Sequence, residues 1–154
     1  ATGYYISRGE SPNGPFTRIG QSSVVNGVNT FVDTTAVPGK TYYYKVRARN
    51  DKQITSMNIE SVAAIRPIAN VVMAGSNPHK TGNIISWNAV EGAKLYQVYR
   101  LRGGETTWTL LKNTRSLAYK DASAEVGIKY YYKVIAVSNQ ATSAYSNCVK
   151  IKSK

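Results

Sequence analysis

A repeated run of tyrosines is the feature that most constrains the fold of this chain. Residues 42–46 read Tyr-Tyr-Tyr-Lys-Val, and residues 130–134 repeat them 88 positions later. Other blocks match in the same order, namely residues 31–33 with 119–121, 4–8 with 96–100, and 16–19 with 108–111. Matching blocks that keep their order indicate two copies of one structural unit.

The repeated blocks have the periodicity of β-strands. One set of side chains alternates with a more charged set, namely Tyr42, Tyr44, Val46 and Ala48 with Tyr43, Lys45, Arg47 and Arg49. Alternation of this kind predicts strands with one buried face. Clusters of Gly, Pro and Asn separate the blocks, and no segment has a helical apolar stripe. The chain is therefore predicted to be all-β, a sandwich or a barrel.

Several motifs of the second copy together resemble a fibronectin type III domain. They are Ile85-Ser86-Trp87, Tyr96-x-Val98-Tyr99-Arg100, Tyr119-x-Asp121 and Gly127-x-x-Tyr130-x-Tyr132-x-Val134. Their sequences are similar to those of the repeats in Gram-positive bacterial surface proteins and secreted polysaccharide hydrolases. The resemblance implies immunoglobulin-like antiparallel β-sandwiches, and it says little about function because one fold serves many functions.

The resemblance also implies a domain layout. Two sandwiches follow each other in tandem, residues 1–66 and 67–154, and the Arg66-Pro67 step ends the first. Trp87 is then the core tryptophan of strand B, and Tyr42 and Tyr130 are the tyrosine corners that open strand F. Ala1 aligns with Ala93, so the first unit lacks strands A and B and runs from strand C to strand G, with strand E near residues 30–34. We expect another chain or peptide to complete it by strand addition; the alternative is a cut chain whose open core is protected by contacts in an assembly.

The charge balance favours anionic partners. Twenty basic residues against eight acidic ones give a net charge of +12. Such a field suits a glycan, an anionic cell-wall polymer or a nucleic acid, although a merely well-solvated surface is the alternative. One cysteine, Cys148, excludes an internal disulfide framework, and no apolar run predicts membrane insertion.

The outward faces of strands C and F are the candidate binding sites. The residues concerned are Tyr5, Tyr43 and Arg47 in the first unit and Tyr99, Tyr131 and Lys133 in the second. Interleaved aromatic and basic side chains stack on sugars or bases while contacting an anion. The alternative is that tyrosine simply favours sheets and that basic residues protect edges. Phe16 and Trp108, at equivalent positions, are expected to cover the core edge.

No pattern predicts catalysis, a metal or a cofactor. Asp33 and Asp121 end equivalent strands, where a bond to nearby backbone is expected rather than calcium binding. His79 is the only histidine, so it is expected in an exposed loop rather than in a zinc site or a triad. Cys148 is expected to be an incidental free thiol.

These observations predict a non-catalytic extracellular module of a larger secreted or cell-surface bacterial protein. It would act as a spacer or a presentation module, with cell adhesion as a further role, and its partners would be neighbouring domains of the same protein. The alternative is a binding module that takes a polysaccharide or an anionic polymer on its basic, tyrosine-rich faces.

Overall fold

The computed structural model describes residues 1–23, 26, 27, 29–58 and 60–154. The chain divides into two compact units, Ala1–Arg66 and Pro67–Lys154. The regular elements of the described residues are β-strands in antiparallel sheets, so the all-β prediction is confirmed.

The first unit contains one four-stranded sheet. Its strands are β1 (Gly3–Gly9), β2 (Thr17–Ser23), β3 (Thr41–Arg49) and β4 (Val62–Ile65), in the order β2-β1-β3-β4. The tyrosine run forms β3 at the centre, where β-branched and aromatic side chains fit the pleated surface. In this register Tyr5 lies opposite Arg47 and Ile6 opposite Val46, so odd-numbered residues of β1 and β3 share one face.

The second unit contains two sheets. One has the order β5-β6-β9, with β5 at Met73–His79, β6 at Gly82–Trp87 and β9 at Ala118–Asp121. The other has the order β11-β10-β7-β8, with β7 at Leu95–Arg102, β8 at Thr109–Thr114, β10 at Lys129–Val137 and β11 at Val149–Lys152.

The core of the second unit joins its two sheets. Trp87 of β6 is 2% exposed and lies 5.7 Å, centroid to centroid, from the ring of Tyr96 in β7. The same cluster includes Ile85, Val98, Tyr130, Tyr132, Val134 and Ala136. Interdigitated aromatic and aliphatic side chains between two sheets form the interior of a sandwich.

The inner side of the first unit is only partly covered. Tyr42 and Ile6 are buried, whereas Val46 is 40% exposed. The expectation of a strand E near residues 30–34 is wrong, because residues 29–33 pair with no strand. In the second unit the equivalent strand, β9, pairs with β6, and the described part of the first unit contains no counterpart of β6.

The expected loop around His79 also differs from the structure. Strand β5 continues through Pro78 to His79, which pairs with Gly82 across a tight hairpin. Proline is tolerated there because β5 is an edge strand. Gly82 has φ of +127°, and a Cβ atom at this position would lie 2.4 Å from the carbonyl oxygen of Asp121. Both the backbone conformation and the close approach therefore require glycine.

Candidate functional site

The outer face of the first unit carries a group of cations around one tyrosine. The guanidinium carbon of Arg18 lies 3.6 Å from the ring centroid of Tyr5, and that of Arg49 lies 5.4 Å from it. Arg47, the cross-strand partner of Tyr5, is exposed. We call Tyr5, Arg18, Arg47 and Arg49 the arginine face.

The charges of the arginine face are not balanced locally. Arg18 donates a hydrogen bond to the side-chain oxygen of Gln21 at 2.9 Å. In the described part of the chain, no carboxylate forms an ion pair with Arg18, Arg47 or Arg49. Stacked guanidinium groups keep their charge and most of their donors, so this face can contact an anion and an aromatic or sugar ring together.

The equivalent face of the second unit is organised differently. The Nζ atom of Lys133 lies 4.0 Å from the ring centroid of Trp108 and 3.5 Å from that of Tyr145. Tyr145 meets Tyr99 edge-on, with ring centroids 5.5 Å apart. In this lysine–aromatic cluster (Tyr99, Trp108, Lys133 and Tyr145) the ammonium group already occupies aromatic surface that a ligand would need.

Phe16 and Trp108, the two aromatic residues at equivalent positions of the repeat, each lie beside a lysine. Trp108 is half-buried beneath Lys133, and Phe16 is half-buried with Lys45 Nζ 5.0 Å from its ring centroid. Trp108 is neither part of the buried core cluster of the second unit nor among the half-buried side chains packed against it. The expectation that Trp108 covers the core edge is therefore wrong, and its ring packs against Lys133 of β10 on the outer face. The same expectation for Phe16, which lies beside Lys45 of β3, stays a prediction.

The six predicted ligand residues fall into two groups, namely two cross-strand pairs and two tyrosines near strand ends. Tyr5 and Arg47 are cross-strand partners, and so are Tyr99 and Lys133. Tyr43 lies opposite Gly9, and Tyr131 lies between Leu101 and Lys150, so both sit nearer the strand ends. The structure thus brings Tyr5 and Arg47 together with Arg18 and Arg49, two residues that sequence reasoning missed.

A buried polar network joins strands β6, β7, β9 and β10 of the second unit. Asp121 Oδ2 accepts hydrogen bonds from Arg100 Nη1 at 2.9 Å and from the Tyr132 hydroxyl at 2.8 Å. Asp121 Oδ1 accepts from the backbone N–H of Ser123 at 3.2 Å and from its hydroxyl at 2.7 Å. The side-chain amide of Asn83 completes it by donating to Tyr132 at 3.0 Å.

The first unit repeats this network without the asparagine. Asp33 accepts hydrogen bonds from Arg8 Nη1 at 2.7 Å and the Tyr44 hydroxyl at 3.0 Å through one oxygen. Its other oxygen accepts from the backbone N–H of Thr35 at 3.0 Å and from its hydroxyl at 2.7 Å. The expected bond from each aspartate to nearby backbone is thus present in both units, and it belongs to a larger structural network.

The networks set the protonation of their members. Burial alone would raise the pKa of Asp33, but hydrogen bonds from Thr35, Arg8 and Tyr44 outweigh it and lower the pKa to about 2. Burial would likewise raise the pKa of Asp121, but hydrogen bonds from Ser123, Tyr132 and Arg100 outweigh it and lower the pKa. Burial, together with the Asp121 carboxylate, raises the pKa of Tyr132, which keeps its hydroxyl protonated and able to donate.

Other predicted features lie as follows. The Tyr130 hydroxyl accepts a hydrogen bond from the backbone N–H of Glu125 at 3.2 Å, just upstream of strand β10. Cys148 lies immediately before β11 with its surface largely exposed, and partial desolvation of its thiol raises the pKa. Within the described ranges, no three His, Cys, Asp or Glu residues are grouped so as to hold a metal ion. The same ranges contain no helix with the length and apolar character that crossing a membrane requires.

These sheets, their register and the sandwich core define a known class of fold. A two-domain fibronectin type III segment of chicken tenascin matches the chain with a TM-score of 0.72. The match covers 98% of this chain and 84% of that one at 13% identity. The chain therefore has the fibronectin type III fold, and the resemblance seen in its motifs is confirmed at that level. No protein-family model matches the sequence.

Segments of two enzymes also match this chain. An amylopullulanase of Thermoanaerobacter thermohydrosulfuricus is 30% identical over 128 residues, which are 76% of this chain and 8% of that protein. The structure of a β-1,2-glucanase from Parabacteroides distasonis matches with a TM-score of 0.52 and 24% identity, covering 71% of this chain and 17% of the glucanase. The chain thus spans a small fraction of the length of either enzyme.

Proposed function

We propose that this chain is a non-catalytic presentation module of a larger extracellular protein that acts on polysaccharide. The observation that supports this most is the amylopullulanase alignment, in which three quarters of this chain matches less than a tenth of a much longer hydrolase. A segment of that relative size fits an accessory domain better than a catalytic one. The partners of such a module are the neighbouring domains of the same polypeptide.

The proposed layout is two fibronectin type III units, the first without strands A and B. Its support is the internal repeat together with the matching Asp–Arg–Tyr networks of Asp33 and Asp121. A non-catalytic role is supported by the same networks, because both aspartates are held by four hydrogen-bonding groups each and their pKa values are lowered. A general acid needs the opposite shift, and a general base needs free access to substrate.

The presentation role predicts an inert chain in polysaccharide assays. The purified 154-residue protein should release no reducing sugar from pullulan, starch or β-1,2-glucan, and these neutral polymers should not retard it in affinity gel electrophoresis. Release of sugar that a single Asp or Glu substitution abolishes would contradict the proposal. Retardation by a neutral polymer would replace presentation with carbohydrate binding.

A second candidate function is binding of an anionic polymer at the arginine face. The supporting observation is the group formed by Arg18, Arg47 and Arg49 around Tyr5, which has no carboxylate partner among the described residues. A polyanion such as an anionic cell-wall polymer or a sulfated glycan suits this charge. The face of the second unit is the weaker candidate, because Lys133 already lies over Trp108 and Tyr145.

A further inference from the structure

Three lysines share the outer face of strands β10 and β11 in the second unit. In the antiparallel register Lys129 lies directly opposite Lys152, and Lys150 lies opposite Tyr131. All three lysines are exposed, whereas Ile151, on the other side of β11, is buried. We call Lys129, Lys150 and Lys152 the lysine row. Like charges directly opposite each other destabilise a sheet, so the pair of Lys129 and Lys152 costs stability unless an anion compensates it.

The first unit shows that the fold itself does not require the lysine row. Strands β3 and β4 form the equivalent ladder, in which Thr41 lies opposite Ile65 and Tyr43 opposite Ala63. The tyrosine is common to both units, but neutral residues take the places of all three lysines. Strands β4 and β11 are both edge strands, so protection of an edge by charge does not explain the difference. A feature that costs stability and that the fold does not require is typical of a functional site.

The charge of the lysine row is neither balanced nor covered. Among the described residues, no carboxylate forms an ion pair with any of its members. Glu125, just upstream of β10, is paired with Arg102 instead. On the β7 side Lys129 borders Gly103, where an added Cβ atom would lie 3.3 Å from the Cβ atom of Lys129. Because glycine has no side chain, an anion can approach Lys129 from this side.

The spacing of the lysine row suits one compact anion. Cβ atoms of opposed residues lie about 5 Å apart, and those of alternate residues on one strand lie about 7 Å apart. Lysine side chains are long and flexible enough for ammonium groups at this spacing to converge on one oxyanion. A phosphate monoester has a charge of about −1.5 to −2 at pH 7 and three acceptor oxygens. It therefore matches three ammonium groups better than a carboxylate or a sulfate ester, each of which carries a single charge.

Tyr131 adds an aromatic surface beside this charge. It is half-buried and lies between Leu101 of β7 and Lys150 of β11. In the described part of the chain, its ring takes no part in the ring contacts that engage Tyr99, Trp108 and Tyr145. A partly accessible aromatic ring next to cations can stack on a sugar ring while the cations hold the phosphate of that sugar.

We propose that the lysine row binds the phosphate group of a phosphorylated sugar, with Tyr131 against the sugar ring. The bound phosphate neutralises the repulsion between Lys129 and Lys152, and the ligand therefore stabilises the second unit. The site lies outside the arginine face and does not include Lys133. The inference goes beyond the function proposed above, and it is independent of the presentation role and of polyanion binding by the first unit.

The first test is an NMR titration of the full chain, labelled with nitrogen-15, at constant ionic strength. Glucose 6-phosphate should shift the amide signals of residues 129–131 and 150–152 in a saturable way, and glucose should not. A triple variant that takes the residues of the first unit should bind about tenfold more weakly or less tightly still. Its substitutions are Lys129→Thr, Lys150→Ala and Lys152→Ile.

The matched control loses the same amount of charge elsewhere in the second unit. It replaces three other exposed lysines, with the substitutions Lys80→Ala, Lys94→Ala and Lys112→Ala. This control variant should bind glucose 6-phosphate as the parent does. An equal loss of binding in both triple variants would mean that phosphate responds only to net charge, and it would overturn the proposal.

A second measurement separates binding from a purely structural role. In low salt, Lys129→Thr should raise the urea midpoint of the second unit, because it removes the repulsion from Lys152, and the gain should shrink in high salt. Glucose 6-phosphate should raise the midpoint of the parent and leave that of the variant nearly unchanged. A lower midpoint for Lys129→Thr, or an equal effect of the ligand on both proteins, would contradict the proposal.

Other results would overturn the proposal in distinguishable ways. Equal affinity for inorganic phosphate and for glucose 6-phosphate would remove the sugar from the ligand. Tighter binding of uridine monophosphate would replace the sugar with a nucleoside base as the group that contacts Tyr131. Aggregation of the lysine-row variant, without saturable binding of any phosphate by the parent, would show that these lysines protect the edge strand β11 instead.

Discussion

The hydroxyl of Tyr132 donates a hydrogen bond of 2.8 Å to the carboxylate of Asp121, and both side chains are almost completely buried. The same hydroxyl accepts from Asn83, so one oxygen links β6, β9 and β10. A buried polar group of this kind stabilises a sandwich only while all its partners are present.

Removing this hydroxyl should destabilise the second unit. Tyr132→Phe leaves Asp121 and Asn83 short of one bond each, and we expect it to lower the free energy of unfolding by about 1–3 kcal/mol. Both tryptophans of the chain lie in this unit, so urea denaturation followed by tryptophan fluorescence reports on it selectively. Tyr131→Phe, on the half-exposed outer face, is the control and should change stability by less than about 0.5 kcal/mol. Equal effects of the two substitutions would contradict the network.

Truncating the core tryptophan should cost more than truncating the outer one. Trp87→Ala removes a ring that is 2% exposed and should lower the free energy of unfolding by about 3–5 kcal/mol. Trp108→Ala loses one contact with a lysine and should cost about 1 kcal/mol. Far-UV circular dichroism in urea measures both variants. A loss below about 1 kcal/mol for Trp87→Ala would show that this residue does not hold the two sheets together.

The first unit should lose stability as the solution becomes acidic. The pKa of Asp33 is about 2 when folded, against an ordinary value of 3.8, so the unfolded chain takes up a proton first as the pH falls. The stabilisation is complete above about pH 4 and should disappear progressively towards about pH 2. Asp33→Asn should flatten this dependence, measured by circular dichroism in urea at each pH. Asp51→Asn, an exposed carboxylate of the same unit, should keep the parent response.

Charge-reversal substitutions should show which of the two outer faces binds a polyanion. If the arginine face binds polyanions, Arg47→Glu should weaken binding of a sulfated glycan such as heparin about tenfold, a change of about 1.4 kcal/mol. Lys133→Glu should weaken it much less, because that ammonium group lies over two rings. Isothermal titration at two salt concentrations measures both variants, and binding should fall as salt rises. Insensitivity to salt, or a larger effect of Lys133→Glu, would exclude the arginine face.

Strand faces could be predicted from the sequence where the pattern is local. Alternation along residues 42–48 places Tyr42 on the inner side of β3 and Lys45 on the outer side, because strand side chains repeat every two residues. The same rule places Arg8 and Arg100 on the inner side beside Tyr44 and Tyr132. A charged residue on a core face needs a partner of opposite charge. The inward position of the two arginines, together with the two repeated aspartates, could therefore have identified the networks from the sequence.

Features that depend on loops could not be predicted in this way. Tyr145 reaches Lys133 from the irregular segment between β10 and β11, where no periodicity indicates a direction. Arg18 reaches Tyr5 because β2 changes register between its pairings with Ile6 and Ser7, which local alternation does not reveal. The prediction of strand E in the first unit was wrong for a different reason. A strand requires a hydrogen-bonded neighbour as well as a suitable sequence.

The sheet order of the second unit determines how it would yield to mechanical tension. Its first strand, β5, and its last, β11, are edge strands of different sheets. A pull on the two ends therefore loads both edges at once, and β11 is held to β10 by only four residue pairs, against eight between β10 and β7. The ladder of β11 would open before the central pair of strands, which hold Tyr130 and Tyr132 in the core. Under load the unit would lengthen in steps from its edges inward.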